Sequence, residues 1–235
     1  MSDLSLGAWL NLDSVLAAEA VVRAGHDWAA VDLQHGETQA TGLVPMLAAV
    51  AGCGVPAWVR TQARDYAQAS WALDMGADVV VIPQVSSAAQ GAEALAFCRY
   101  APDGHRSWGP TRAGLRAASA PAQQVYLMIE DAAGVAAADE ICALPGLDGI
   151  LIGPADLTVS LGGRVPDDLR SEGTLAAAAT VVEACRRHDV AVAAFGGTPD
   201  MVPAWTGIGV TTIALVTDLG LLTQGAADAL ARTRG

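Results

Sequence analysis

Residues 28–37 read WAAVDLQHGE. An unbroken apolar run, Trp28 to Val31, stops abruptly, and Asp32, Gln34, His35 and Glu37 follow in quick succession around Gly36. A short continuous apolar run bounded by polar and turn residues reads as a strand buried on both faces. An acid, an amide, an imidazole and a second acid at the end of such a strand make its C-terminal end a candidate for chemistry.

The same pattern recurs along the chain. Apolar β-type runs occupy 6–12, 28–34, 56–62, 78–85, 125–131, 149–154, 190–196 and 211–218. Ala-rich helical segments separate them at 13–24, 37–51, 64–76, 86–98, 132–143, 171–188 and 219–233, and Thr198-Pro199-Asp200 has the form of a helix start. Strands alternating with helices over this length predict an α/β fold, a (β/α)8 TIM barrel forming a single domain over 1–235. A doubly wound sheet is the alternative, and the lack of GxGxxG after the first strand weakens a dinucleotide-binding version of it. The connection over 98–124 is long and rich in Gly, Pro and Arg, as lids and binding loops often are.

Composition narrows the chemistry. All 13 basic residues are arginines, so no lysine exists to form a Schiff base, anchor pyridoxal phosphate or complete a P-loop. A net charge of −12 without a basic stripe argues against a nucleic-acid surface. No apolar stretch is long enough to span a membrane, and the N-terminal residues lack the form of a signal peptide, so a cytoplasmic protein is expected. Cys53, Cys98, Cys142 and Cys185 form no CxxC pair and read as free thiols in a reducing compartment.

A barrel places its active site at the strand C-terminal ends. Gathered there are Asp32, Gln34 and His35 after the second run, Arg60 after the third, Glu130 and Asp131 after the fifth, Asp156 in GPAD after the sixth, and Asp218 after the eighth. Each has an ordinary structural reading beside the functional one. An Asp at a strand end commonly caps the next helix, which is how Asp218 reads and is open for Asp156; Arg60 suits an ordinary ion pair, and His35 a satisfied structural histidine. Glu130 is poorly placed as a cap. Glu130 and Asp156 on adjacent strands form a pair suited to Mg²⁺ or Mn²⁺, whereas zinc would want His or Cys. Among the other histidines, His26 and His188 fall in turns, and His105 lies in the long loop.

These residues carry a resemblance to the HpcH/HpaI aldolases, metal-dependent class II pyruvate aldolases of the short form. The matching segments are HDWAAVDLQHGE, VPAWVRTQ, ALDMGADVVVIPQVSSAAQ, RYAPDGHRSWGPTRAG, YLMIEDAAGVAAADEI and PGLDGILIGPADLTVSLG, covering nearly the whole chain in order. The resemblance implies that Glu130 and Asp156 bind a divalent metal ion (Mg²⁺ or Mn²⁺, with Co²⁺ also in range). It implies that Arg60 contacts the keto oxygen of pyruvate, and that His35 serves acid–base steps, oriented by Asp74. Backbone amides around Gly153 and Ala155 would hold the pyruvate carboxylate. Gln34 stands where many members carry an acid; an amide there can still hold the metal's water shell. A dimer-based homohexamer exchanging the helix over 219–233 is likewise implied.

The resulting expectation is reversible cleavage of 4-hydroxy-2-oxoacids to pyruvate, or a related 2-oxoacid, and an aldehyde, through a metal-stabilised enolate. The long loop, with Arg106, Trp108 and Arg112, is expected to help choose the aldehyde. An oxaloacetate-type decarboxylase would use the same residues, and a non-catalytic barrel is the reading from a different class.

Overall fold

A computed structural model describes residues 4–115 and 122–234. Eight parallel strands close on themselves in sequence order: β1 (Ser5–Leu10), β2 (Trp28–Asp32), β3 (Ala57–Arg60), β4 (Val79–Ile82), β5 (Gln124–Ile129), β6 (Gly149–Ile152), β7 (Ala191–Phe195) and β8 (Thr212–Thr217), with β8 pairing back onto β1. The fold is thus a (β/α)8 barrel. Its helices are α1 (Val15–Val22), α2 (Ala40–Gly52), α3 (Tyr66–Asp74), α4 (Ala88–Cys98), α5 (Ala132–Ala136), α6 (Ala138–Cys142), α7 (Pro154–Ser160), α8 (Glu172–His188), α9 (Val202–Gly207) and α10 (Asp218–Arg234). The segment expected as one helix over 132–143 is two short helices, and α7 starts ahead of Asp156, which lies in its first turn and is not its cap. Several helices start where a side-chain oxygen accepts from an amide of the first turn: Ser14 from Ala17, Asp65 from Gln68, Ser87 from Gln90, Asp131 from Gly134 and Ser171 from Thr174.

Strand parity sorts the side chains into two cores. Ala29, Val31, Val59, Val80, Ile82, Leu127 and Ile150 face outward against the helices. Trp9, Trp28, Ala30, Trp58, Val81, Tyr126, Met128 and Leu151 fill the barrel interior. The lower interior is an aromatic plug in which Trp28 stacks on Trp58 at 4.3 Å between centroids and Trp58 meets Tyr126 edge-on at 4.9 Å. Two glycines make room for it: a Cβ on Gly7 would lie 2.2 Å from the Trp28 ring, and one on Gly149 would lie 2.3 Å from the Tyr126 ring. With the lower barrel filled, the interior space among the described residues lies toward the opposite end. Among the described residues, no helix is long and apolar enough to cross a membrane.

Candidate active site

Moving two residues up a strand keeps the side chain on the same face of the sheet. Above Ala30 the next inward position on β2 is Asp32; above Trp58 on β3 it is Arg60; above Met128 on β5 it is Glu130; above Leu151 on β6 it is Gly153; and above Trp9 on β1 it is Asn11. These residues, with His35 from the loop after β2, Asp156 from the first turn of α7, and Phe195 at the end of β7, line a cavity of about 380 Å³ at the strand C-terminal ends. Trp9, Met128, Pro154 and Phe195 supply its apolar wall.

Asp32 is the hub of the site. It is fully buried and register partner to Arg60 on the neighbouring strand. Arg60 donates to it twice, from Nε to Oδ1 at 2.9 Å and from Nη2 to Oδ2 at 2.6 Å. Trp9 Nε1 (3.1 Å), Asn11 Nδ2 (3.3 Å) and the amides of Gln34 (3.0 Å) and His35 (3.3 Å) also donate to this carboxylate. Burial alone would push the Asp32 carboxyl up, but the hydrogen bond and charge of Arg60, with Trp9 and the Gln34 amide, hold it below the ordinary carboxylate range. The fork geometry leaves Arg60 Nη1 free of protein partners among the described residues, and the guanidinium packs over the Trp9 ring at 5.1 Å.

Glu130 faces this pair and is only 3% exposed. Its Oε1 accepts from the Gln84 amide at 2.8 Å, while its Oε2 is buried without a partner. Gln84 adopts a left-handed backbone, φ 58°, which non-glycine residues rarely do. That turn at the end of β4 carries the amide that holds Glu130. Burial raises the Glu130 carboxyl to about 7; the negative charge of Asp156 adds to the rise, and the Gln84 amide and Arg60 oppose it. A Cβ on Gly153 would lie 2.7 Å from Glu130 Oε2 and 2.5 Å from Met128 Cε, so this glycine keeps the space around the acid open.

An orphaned, desolvated carboxylate oxygen beside a second carboxylate has the chemistry of a divalent-cation ligand. Among the described residues, no three His, Cys, Asp or Glu gather to hold a metal. Two carboxylates alone suit a hard cation that also keeps water and substrate oxygens, rather than zinc.

The remaining expected residues sort themselves by position. His35 lies exposed at the mouth, its imidazole without a hydrogen-bond partner among the described residues, and Gln34 Oε1 is buried and unpartnered. Asp74 is a correction: it ends α3 at the opposite end of the barrel and accepts from Arg106 Nη2 at 2.6 Å and Nε at 3.2 Å, so within the chain it does not meet His35. Asp32 is the acid that holds the His35 backbone. Gly153 is a second correction, since its amide donates to Ile129 O at 3.1 Å. The first-turn amides of Ala155 and Asp156, with no carbonyl four residues back in α7, are the ones left over.

The long loop is a third correction. It follows α4, which returns the chain to the strand N-terminal ends, and two of its arginines are committed there: Arg106 to Asp74 and Gln123, and Arg112 Nη1 to Met75 O at 2.7 Å. Within the chain its described residues do not line the mouth. Residues 116–121 of this connection lie outside the described residues. Asp218, expected as a cap, accepts from Leu219 N at 2.8 Å and also clamps the loop after β1 through Asn11 N (2.8 Å) and Leu12 N (3.1 Å). Trp9, Asn11, Gln84 and Phe195 were missed; inward parity on β1 and β7 was the available signal for all but Gln84.

A closed parallel barrel whose mouth gathers paired carboxylates and a tethered guanidinium has the layout of an enzyme. The sequence matches the HpcH/HpaI aldolase/citrate lyase family across residues 5–224, and the chain belongs to that family. It is 32% identical to a hydroxypyruvate/pyruvate aldolase of Rhizorhabdus wittichii, covering 98% of this chain and 94% of the relative. It is 29% identical to a 2-dehydro-3,6-dideoxy-6-sulfogluconate aldolase of Pseudomonas putida, covering 98% and 92%. The crystal structure of an HpcH/HpaI aldolase/citrate lyase family protein from Burkholderia cenocepacia superposes with a TM-score of 0.89 at 32% identity, over 99% of this chain and 95% of that one. By class the chain is a carbon–carbon lyase.

Proposed function

We propose that the protein is a divalent-metal-dependent aldolase that joins pyruvate, or a related 2-oxoacid such as hydroxypyruvate, to an aldehyde and cleaves the resulting 4-hydroxy-2-oxoacid. The observation that carries this reading is Glu130 Oε2, buried without a partner beside Asp156 and facing the Asp32–Arg60 pair. The names of the relatives point the same way.

Glu130 and Asp156 would hold the cation, which supplies Lewis acidity at the keto oxygen of the bound 2-oxoacid. Arg60, aimed by Asp32, presents Nη1 to the same oxygen and stabilises the negative charge that develops as a methyl proton passes to a water molecule at the open mouth. The enolate carbon then bonds to the aldehyde carbon, whose oxygen takes up a proton. His35, exposed at the mouth with a free imidazole, delivers that proton in addition and removes it in cleavage. The Ala155 amide would receive the substrate carboxylate. Gln34, with its unpartnered Oε1, would order water at the metal. Trp9, Met128 and Phe195 keep water from the reacting carbon.

The same reading extends to assembly and location. Along α10, Leu221, Leu222 and Leu230 remain exposed, and a helix of this composition takes its partner from a second copy in a dimer-based hexamer. Free cysteines fit a reducing cytoplasm. The deciding experiment is a metal-supplemented screen of pyruvate with a panel of aldehydes, run beside NMR of pyruvate methyl-proton exchange in D₂O. Neither exchange nor addition product with Mg²⁺, Mn²⁺ or Co²⁺ present would overturn the proposal.

A further inference from the structure

The acceptor side of the cavity has a distinct chemistry. Six polar side chains line the wall: Asn11, Asp32, His35, Arg60, Glu130 and Asp156. Arg60 is tethered to Asp32, and the proposed function commits Arg60, Glu130 and Asp156 to the 2-oxoacid and its metal. His35 handles a proton. Asn11 is left without a task, yet it is held with unusual care. Its amide donates to Asp218 Oδ1 at 2.8 Å, its carbonyl accepts from Glu37 N at 2.7 Å, and its Nδ2 donates to Asp32 Oδ2 at 3.3 Å.

The last contact fixes which way the carboxamide faces. Asp32 is ionised and can only accept, so the NH₂ of Asn11 must turn toward it and Oδ1 must turn away. That Oδ1 has no protein partner among the described residues. A carboxamide oxygen accepts hydrogen bonds and does not donate them, so it recognises a hydroxyl. Charge disfavours the other polar class of acceptor. Among the described residues that line the cavity Arg60 is the one arginine, and it is already paired; Arg106 and Arg112 are bound at the far end of the barrel. A second anion would meet the Asn11 oxygen and the Asp32 carboxylate, with Arg60 and the proposed cation already shared among Asp32, Glu130, Asp156 and the 2-oxoacid.

We infer that Asn11 is a specificity-determining residue that accepts a hydrogen bond from the acceptor, and that the acceptor is an uncharged hydroxyaldehyde. The inference rests on the aldolase reading and deepens it.

The test compares glycolaldehyde with acetaldehyde, which differ by one hydroxyl, as acceptors for pyruvate in the wild type, Asn11→Ala and Asn11→Ser. The readout is the ratio of the two kcat/KM values. Intrinsic aldehyde reactivity cancels between enzymes, and any loss through the Asp32 contact falls on both acceptors alike. Asn11→Ala is expected to lower the glycolaldehyde-to-acetaldehyde ratio about tenfold, the scale of one lost neutral hydrogen bond. Asn11→Ser, which keeps an acceptor oxygen, is expected to fall between. In the charge arm, the wild type should use succinic semialdehyde no better than butanal. A ratio unmoved within twofold in both variants, or a tenfold preference for succinic semialdehyde over butanal, overturns the inference. Pyruvate methyl-proton exchange without aldehyde separates the two levels. Exchange with an unmoved ratio removes the role of Asn11 alone; neither exchange nor addition in the wild type removes the aldolase reading and the inference together.

Discussion

Replacing Asp32 with Asn tests the site at its hub. The substitution keeps the shape and one oxygen but puts an NH₂ where an acceptor stood. Donors converge there from Arg60 Nη2, Trp9 Nε1 and Asn11 Nδ2, all directed at Oδ2. Breaking a buried ion pair by removing one partner costs about 3–5 kcal/mol. Arg60 opens onto the cavity and Asn retains one acceptor, so the lower end, about 3 kcal/mol, applies. For a chain of this length that lowers Tm by about 6–12 °C. The activity loss has a separate cause: Arg60 loses the fork that aims Nη1, and a misdirected charge-stabilising donor costs about 10²-fold. Since every reaction of the site needs the enolate, aldol addition, oxaloacetate decarboxylation and pyruvate proton exchange should fall together.

Acid sensitivity supplies an independent check on the same residue. The folded Asp32 carboxyl lies below its ordinary value, so its stabilisation is present above the ordinary carboxylate range and is lost as pH falls through the depressed folded value. Asp32→Asn should therefore flatten the acid limb of the stability profile. Calorimetric melts across acid pH, with kcat/KM for the three reactions, measure all of this. A Tm within about 2 °C of wild type with rates within about threefold would refute the hub role. A loss confined to aldol addition would place Asp32 with His35 and not with Arg60.

Further outcomes follow from the same geometry. Activity should vanish in excess EDTA, return with Mg²⁺ or Mn²⁺ and ignore borohydride; full activity after verified metal removal would sink the metal reading. The Glu130 carboxyl is raised from 4.5 to about 7 by burial first, with the Asp156 charge adding to the rise, so the metal-free fold holds a proton that the unfolded chain releases. Its stability should therefore fall by about 3 kcal/mol as pH rises from 4.5 to 7. Melts in EDTA should show that fall in the wild type and not in Glu130→Gln; parallel profiles would count against it. Gly153→Ala would push a methyl against Glu130 and Met128, costing about 1–3 kcal/mol and weakening metal binding; calorimetric titration with Mn²⁺ at unchanged affinity contradicts this. His35→Ala should depress aldol cleavage about 10²–10⁴-fold yet spare oxaloacetate decarboxylation, which needs no proton at an acceptor hydroxyl. Equal loss in both reactions at normal metal content would make His35 an organiser of the site.

The sequence by itself determined the barrel and most of its mouth. Eight apolar runs alternating with helices favour a barrel over a doubly wound sheet, and strand ends are where barrels keep polar side chains. Arg60, Glu130 and Asp156 were legible because each interrupts or follows an apolar run and so has to be explained. The missing lysine narrowed the chemistry without any coordinates. What only the tertiary structure decided depends on relations between strands. Asp32 was visible as a polar residue, but its grip on Arg60 arises from the register of β2 against β3. Asn11 and Trp9 enter the site because closure brings β1 beside β2 and β8, so inward parity there points at the same cavity. Asp74, Arg106 and Arg112 were misplaced for the complementary reason. Charge and composition mark a residue as functional, but the direction in which a helix returns the chain decides which end of the barrel it reaches, and α3 and α4 carry these residues to the end away from the chemistry.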